Sequence, residues 1–231
     1  MSAVESVKGK RLPRAVREEQ MMNAAVRTFA RRGYRAASMD EIAQLAGVSK
    51  PLVYLYLNSK DQLFTACIRR EAQALLAAVQ SAIQPGLPAD RQLWAGLTAF
   101  FAYTVDHPDG WAVLHRQART HGEPFAREVA AMRDEIVAFV AVLIQAAATE
   151  AGEARPEPEL AERDMAALAQ ALVGAAESLA GWMNDTGSIT VKEASATLMN
   201  FAWVGLGQLL EGERWSARDA QESAAVPVCG A

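Results

Sequence analysis

Residues 38–64 read SMDEIAQLAGVSKPLVYLYLNSKDQLF, two short helical patterns joined by Gly47-Val48-Ser49. Ser38 stands where an N-cap is needed, its hydroxyl able to satisfy an orphan amide of the helix that follows. Glu41, three residues on, completes an S-x-x-E capping box. Ile42, Ala43 and Ala46 give this helix one apolar face. Gly47 suits the left-handed conformation that ends a short helix, and Ser49 is placed to cap the next. Pro51 falls in the first turn of that second helix, where a missing amide costs little. Val53, Leu57 and Leu63 can seat the helix on its neighbours, while Lys50, Leu52, Tyr54, Leu55 and Tyr56 divide between packing and exposure. This order of signals is that of a helix-turn-helix, whose second helix enters the major groove while the first crosses the backbone. Each signal taken singly is equally compatible with an ordinary helical hairpin.

The run resembles the DNA-binding module of the TetR (tetracycline-repressor-like) family of bacterial transcription regulators. The resemblance is carried by Asp40-Glu41-Ile42-Ala43, Gly47-Val48-Ser49, Val53-Tyr54-Leu55-Tyr56-Leu57 and Ser59-Lys60-Asp61-Gln62-Leu63, within residues 14–64. Val53 and Leu57 depart from the commoner Leu and Phe, and both remain apolar. The resemblance implies phosphate-contacting roles for Ser38, Tyr54, Tyr56 and Lys60, whose hydroxyl and ammonium groups fix register without reading sequence. Lys50, Pro51 and Leu52, at the start of the second helix, are the expected base-edge readers; Lys50 can bond guanine, and the other two offer apolar contact only. Arg35 and Ser49 complete the expected DNA-binding set.

Charge is divided along the chain. The net charge is −4, yet residues 1–60 carry eleven Lys/Arg against five Asp/Glu, and the remainder twelve against twenty-two. A basic end on an acidic body fits phosphate contact through one domain; a solvated basic tail is the plainer account. No long uncharged apolar stretch and no leader pattern is present, so a cytoplasmic protein without a membrane span is expected. Cys67 and Cys229 form no metal or redox motif.

The rest of the pattern is helical, and no stretch alternates at period two. A helix from about Pro13 should end at Gly33. Others are expected from Lys60 to about Ile83 and over 89–105, 109–121, 124–151, 159–184 and 190–211, separated by Pro- and Gly-containing breaks. The fold expected is all-α: a three-helix N-terminal helix-turn-helix domain and a larger C-terminal helical ligand-binding and dimerisation domain. The divisions are a basic arm at 1–12 and a DNA-binding domain at 13–59, then a regulatory domain at 60–215 and a tail at 216–231, with arm and tail read as disordered.

Two faces of the body carry functional expectations. Trp94, Phe101, Trp111, His115 and Phe139 belong to an aromatic-rich set that is equally compatible with plain core. The resemblance implies a mostly apolar small-molecule cavity bounded by these helices; Trp182 is placed to close an end of the subunit interface or to reach toward this cavity. The last two long helices are rich in small residues and apolar on a broad face. The resemblance pairs them with their copies in a homodimer through Leu168, Leu172, Ala175, Leu179, Phe201, Leu206 and Leu209; burial inside one chain is the alternative. Such a dimer would present two recognition helices to successive major grooves of a pseudopalindromic operator, about 34 Å apart. A bound effector would favour a separation that no longer fits DNA, with the helix from Lys60 as the natural lever.

No G-x-S-x-G, H-E-x-x-H or phosphate-binding glycine loop occurs, so an enzyme is not expected. His107, His115 and His121 fall within fifteen residues but lack a completing carboxylate or cysteine spacing. Neither metal nor cofactor is expected. The rival reading is a DNA-binding regulator with a sealed core, constitutive or controlled by a protein partner.

Overall fold

The computed structural model describes residues 13–117, 125–151 and 158–210. The basic arm and the tail expected at 216–231 therefore lie outside the described residues, as do His121 and Cys229. Within the described residues every regular element is a helix. In chain order these are α1 (Arg14–Ala36), α2 (Met39–Leu45), α3 (Lys50–Leu57), α4 (Lys60–Ala82), α5 (Ala89–Asp106), α6 (Pro108–Ala112), a π-helical turn (Val113–Gln117), α7 (Phe125–Ala151), α8 (Pro158–Thr186) and α9 (Val191–Leu210).

The chain divides into two compact units, residues 1–80 with 102–136, and 81–101 with 137–231. The first takes in more than residues 13–59: nearly all of α4, the end of α5, α6 and the start of α7 belong with the helix-turn-helix. In it α1 packs against α2, α6 and the π turn. Its core is built from side chains with essentially no exposure, among them Met21, Phe29, Ile42, Val53, Leu63, Phe64 and Ile68. Burial of each such side chain is worth roughly 1.5–3 kcal/mol before entropic costs. Glu71 is a buried carboxylate here, held by Arg70 at 2.6 Å, which also donates to Asn23 of α1 at 2.8 Å. Gly110 of α6 leaves room for it, since a Cβ there would stand 2.2 Å from a Glu71 carboxylate oxygen. The second unit contains α8 and α9 packed on each other. The stripe Ala169, Leu172, Val173, Ala176, Ala180 and Met183 on α8 is buried, as are Ala194, Leu198 and Ala202 on α9.

Gly33 breaks α1 where the helix was expected to end. Its backbone sits at φ 78°, ψ 159°, and the helical hydrogen-bond pattern resumes to Ala36. That conformation is essentially restricted to glycine. Gly33→Ala should therefore lower unfolding stability by about 1–3 kcal/mol, whereas in a regular helix interior alanine would add roughly 1 kcal/mol. Urea melts of the two proteins distinguish these outcomes by sign.

In the described part of the helix expected over 109–121, short α6 passes directly into the π turn, and residues 118–121 lie outside the described residues. The change coincides with a large aromatic pair one turn apart, Trp111 and His115, whose rings stack at 4.9 Å and 13°. A π turn widens the backbone locally and is rare, though frequent at functional sites.

Candidate nucleic-acid interface

Two side-chain caps and a glycine turn set the reader's geometry. The Ser38 hydroxyl accepts the Asp40 amide at 3.2 Å and starts α2 as expected. Glu41 does not close the capping box: its carboxylate takes the Arg32 guanidinium at 3.2 Å instead. A charge-assisted partner on α1 outcompetes a neutral amide. Ser49 occupies the N-cap of α3 without a side-chain cap bond, so the expected second cap is also corrected. Gly47 adopts φ 65°, as the tight turn between the helices requires. Ser59, part of the motif but given no role from the sequence, caps α4 by accepting the Gln62 amide at 3.1 Å.

Helix α3 turns one side inward and one outward. Val53 is completely buried, and Leu52 and Tyr56 are half-buried. Pro51, Tyr54, Leu55 and Asn58 are all exposed at spacings of three and four, forming one outward face. Lys50 is exposed beside them. Leu55 is the most exposed large apolar residue of the chain's described part, at 76%. The sequence reading left it undecided, although its place between Tyr54 and Tyr56 and four residues after Pro51 was the available signal. Arg14 was missed as well; its guanidinium lies over the Tyr56 ring, 4.9 Å from the centroid.

Two cations of this surface, Lys50 and Lys60, are already engaged. The Lys50 ammonium donates to the Asp40 carboxylate at 2.8 Å, which holds its pKa above the ordinary lysine value. The Lys60 ammonium donates to the Arg35 carbonyl at 3.0 Å and sits over the Tyr34 ring, 4.8 Å from its centroid. Arg35 itself is exposed. Tyr34 donates its phenol proton to the Asp61 carboxylate. Burial, and then Asp61, push the Tyr34 phenol up to about 12. A raised pKa means that this group's contribution to stability is full below about pH 10 and lost as pH rises toward 12. Alkaline titration followed by tyrosinate absorbance should show a late ionisation that Tyr34→Phe removes.

The remaining expected sites are distributed between the units. Trp111 is buried and His115 half-buried in the first. In the second, Phe101 is fully buried, Trp94 and Phe139 are half-buried, and Trp182 is 48% exposed. On α8, Leu172 is buried within the chain, and Leu168, Ala175 and Leu179 are half-buried at the margin of the buried stripe. The exposed face beyond them runs through Ala167, Ala171, Ser178 and Trp182. Phe201 on α9 is 69% exposed. The side chains of Leu206 and Leu209 lie outside the described residues. Among the described residues, no group of three or more His, Cys, Asp or Glu is placed to hold a metal, and no helix is long and apolar enough to cross a membrane.

A capped two-helix reader with an outward face of hydroxyl, apolar and basic groups defines a helix-turn-helix DNA-binding protein. Residues 21–67 match the bacterial regulatory proteins of the tetR family, and residues 89–205 match the tetracyclin repressor-like C-terminal domain. The chain is 31% identical over 204 residues to the transcriptional activator FasR of Mycolicibacterium smegmatis, covering 87% of this chain and 88% of FasR. A TetR-like regulator from Rhodococcus sp. RHA1 shares 40% identity, with a TM-score of 0.72 over 85% of this chain and 99% of that one. The FadR regulator of Bacillus subtilis, solved in complex with stearoyl-CoA, shares the fold at 15% identity, with a TM-score of 0.69 over 80% of this chain and 97% of its own. This chain belongs to the TetR family; it is a helix-turn-helix transcriptional regulator, not an enzyme.

Proposed function

We propose that the protein binds a pseudopalindromic operator as a homodimer, through α3, and that a small, largely apolar effector releases it. The observation that carries the reading is the outward face of α3. Its Pro51, Tyr54 and Leu55 are exposed while Val53 anchors the helix in the core. Lys50, Pro51, Leu52 and Leu55 are assigned to base edges, Leu55 by apolar contact to thymine methyls. Ser38, Tyr54, Tyr56, Lys60 and Arg35 are assigned to phosphates. For the second subunit, the small-residue face of α8, with Trp182 and Phe201, offers a surface to cover. Release, on this reading, means repression where the operator overlaps a promoter. FasR carries the name of an activator, whereas the repressor SCO4008 of Streptomyces coelicolor is 30% identical over 126 residues. Operator position therefore sets the sign of the output.

The test is selection of bound DNA from a random pool followed by footprinting. Two half-sites about one helical turn apart are expected; a single asymmetric site would overturn the dimer reading. Lys60→Ala should weaken binding similarly at all sequences and flatten the salt slope by about one unit. An unchanged slope removes Lys60 from the phosphate contacts. Apolar and amphipathic metabolites, long-chain acyl-CoA among them, are then screened by thermal shift. A compound that both stabilises the protein and releases operator supports the effector.

A further inference from the structure

The first turn of α7 lies 61 residues beyond Phe64, in sequence expected to line an effector cavity, yet it is built into the DNA reader. Phe125 is 3% exposed, and its ring meets Tyr34 at 4.9 Å and Phe64 at 4.8 Å, the latter edge-on at 77°. One turn later, Glu128 takes Arg69 of α4 in a two-bonded pair at 2.5 and 2.8 Å. Tyr34 is the hub of this arrangement. One part of its ring packs on Phe64 and Phe125, its face seats the Lys60 ammonium, and its hydroxyl holds Asp61. The kink at Gly33 is what turns Tyr34 away from the regular path of α1.

We propose that Phe125 is a positioning residue for DNA binding: it fixes the Tyr34 ring, and the ring sets the place from which Lys60 reaches a phosphate. Phe125 touches no DNA in this arrangement and acts through Tyr34. The proposal rests on the assignment of Lys60 to a phosphate. It makes the start of α7 a second route, beside α4, by which a change elsewhere in the chain alters operator affinity.

Double-mutant cycles with full-length protein and the selected operator test this. Phe125→Leu keeps apolar volume but loses the ring, and Tyr34→Leu removes the seat; far-UV circular dichroism and melting curves check that both remain folded at the assay temperature. Each should weaken binding roughly fivefold in the wild-type background, the scale of one aromatic contact. In the Lys60→Ala background each should cost less than about twofold, because there is no ammonium left to place. Equal losses in both backgrounds would mean that Phe125 only supports the fold, overturning the proposal; so would wild-type affinity for Phe125→Leu. If Lys60→Ala alone leaves affinity and salt slope unchanged, the phosphate assignment fails first and the proposal falls with it.

Discussion

Leu55→Glu is expected to abolish operator binding while leaving the melting temperature where it is. Leu55 is 76% exposed on α3, so the substitution removes little buried surface. Surface changes of this kind usually stay within about 0.5 kcal/mol in stability. On DNA the new carboxylate would stand among phosphates, in place of an apolar contact that carries no charge. Like-charge juxtaposition costs several kcal/mol, which is at least about two orders of magnitude in Kd. Leu55→Ala should lose much less, since it forfeits contact without adding repulsion. Anisotropy titrations with the selected operator, paired with thermal melts, give both numbers. Wild-type affinity for Leu55→Glu would show that the outward face of α3 is not the reading face.

Phe64→Ala carries the largest expected cost to the fold. The side chain has no exposure, and its ring packs against Phe29 at 4.7 Å, Tyr34 at 4.9 Å and Phe125 at 4.8 Å. Removing a buried phenyl ring costs about 3–5 kcal/mol in transfer and cavity terms. Domains of ordinary stability have only about 5–15 kcal/mol in total. Urea denaturation should show a correspondingly lower midpoint, with operator binding lost wherever the reader unfolds. A loss below about 1 kcal/mol would be incompatible with a closed four-ring cluster.

Much of this architecture was legible because local chemistry and tertiary packing agree. The start of α4 at Lys60, the turn at Gly47 and the long helices follow from apolar periodicity and breakers, which act over a few residues. What was not legible depends on partners distant in sequence. Glu41 leaves its capping box for Arg32, nine residues away, and no spacing rule announces that exchange. Phe125 reads as one more aromatic on a cavity helix until the fold brings it to Tyr34. A different miss was avoidable. Thr190 and Glu193 form a reciprocal capping box at the start of α9, with the Thr190 amide donating to Glu193 at 2.8 Å and the Glu193 amide to Thr190 at 3.3 Å. Its T-x-x-E signal stood in the sequence. On the outward face of α3, Tyr54, Lys50 and Pro51 were singled out by their place in the pattern, and all three are exposed. Leu55 shares that face by its spacing from Pro51, and the burial pattern of α3 fixes its exposure.

The Lys50–Asp40 pair has a consequence for selectivity. A lysine that approaches DNA bare gains from any phosphate it meets, whatever the sequence. Lys50 instead arrives with its own counterion, a carboxylate 2.8 Å from the ammonium. A DNA site must offer an acceptor good enough to replace that carboxylate, and Asp40 is then left facing a negatively charged surface. Random sequence meets this condition poorly, whereas a guanine edge in the right register meets it well. On the proposed assignment of Lys50 to a base edge, the pair sacrifices indiscriminate affinity for contrast between right and wrong sites, in a protein that must find one operator among a genome of competitors.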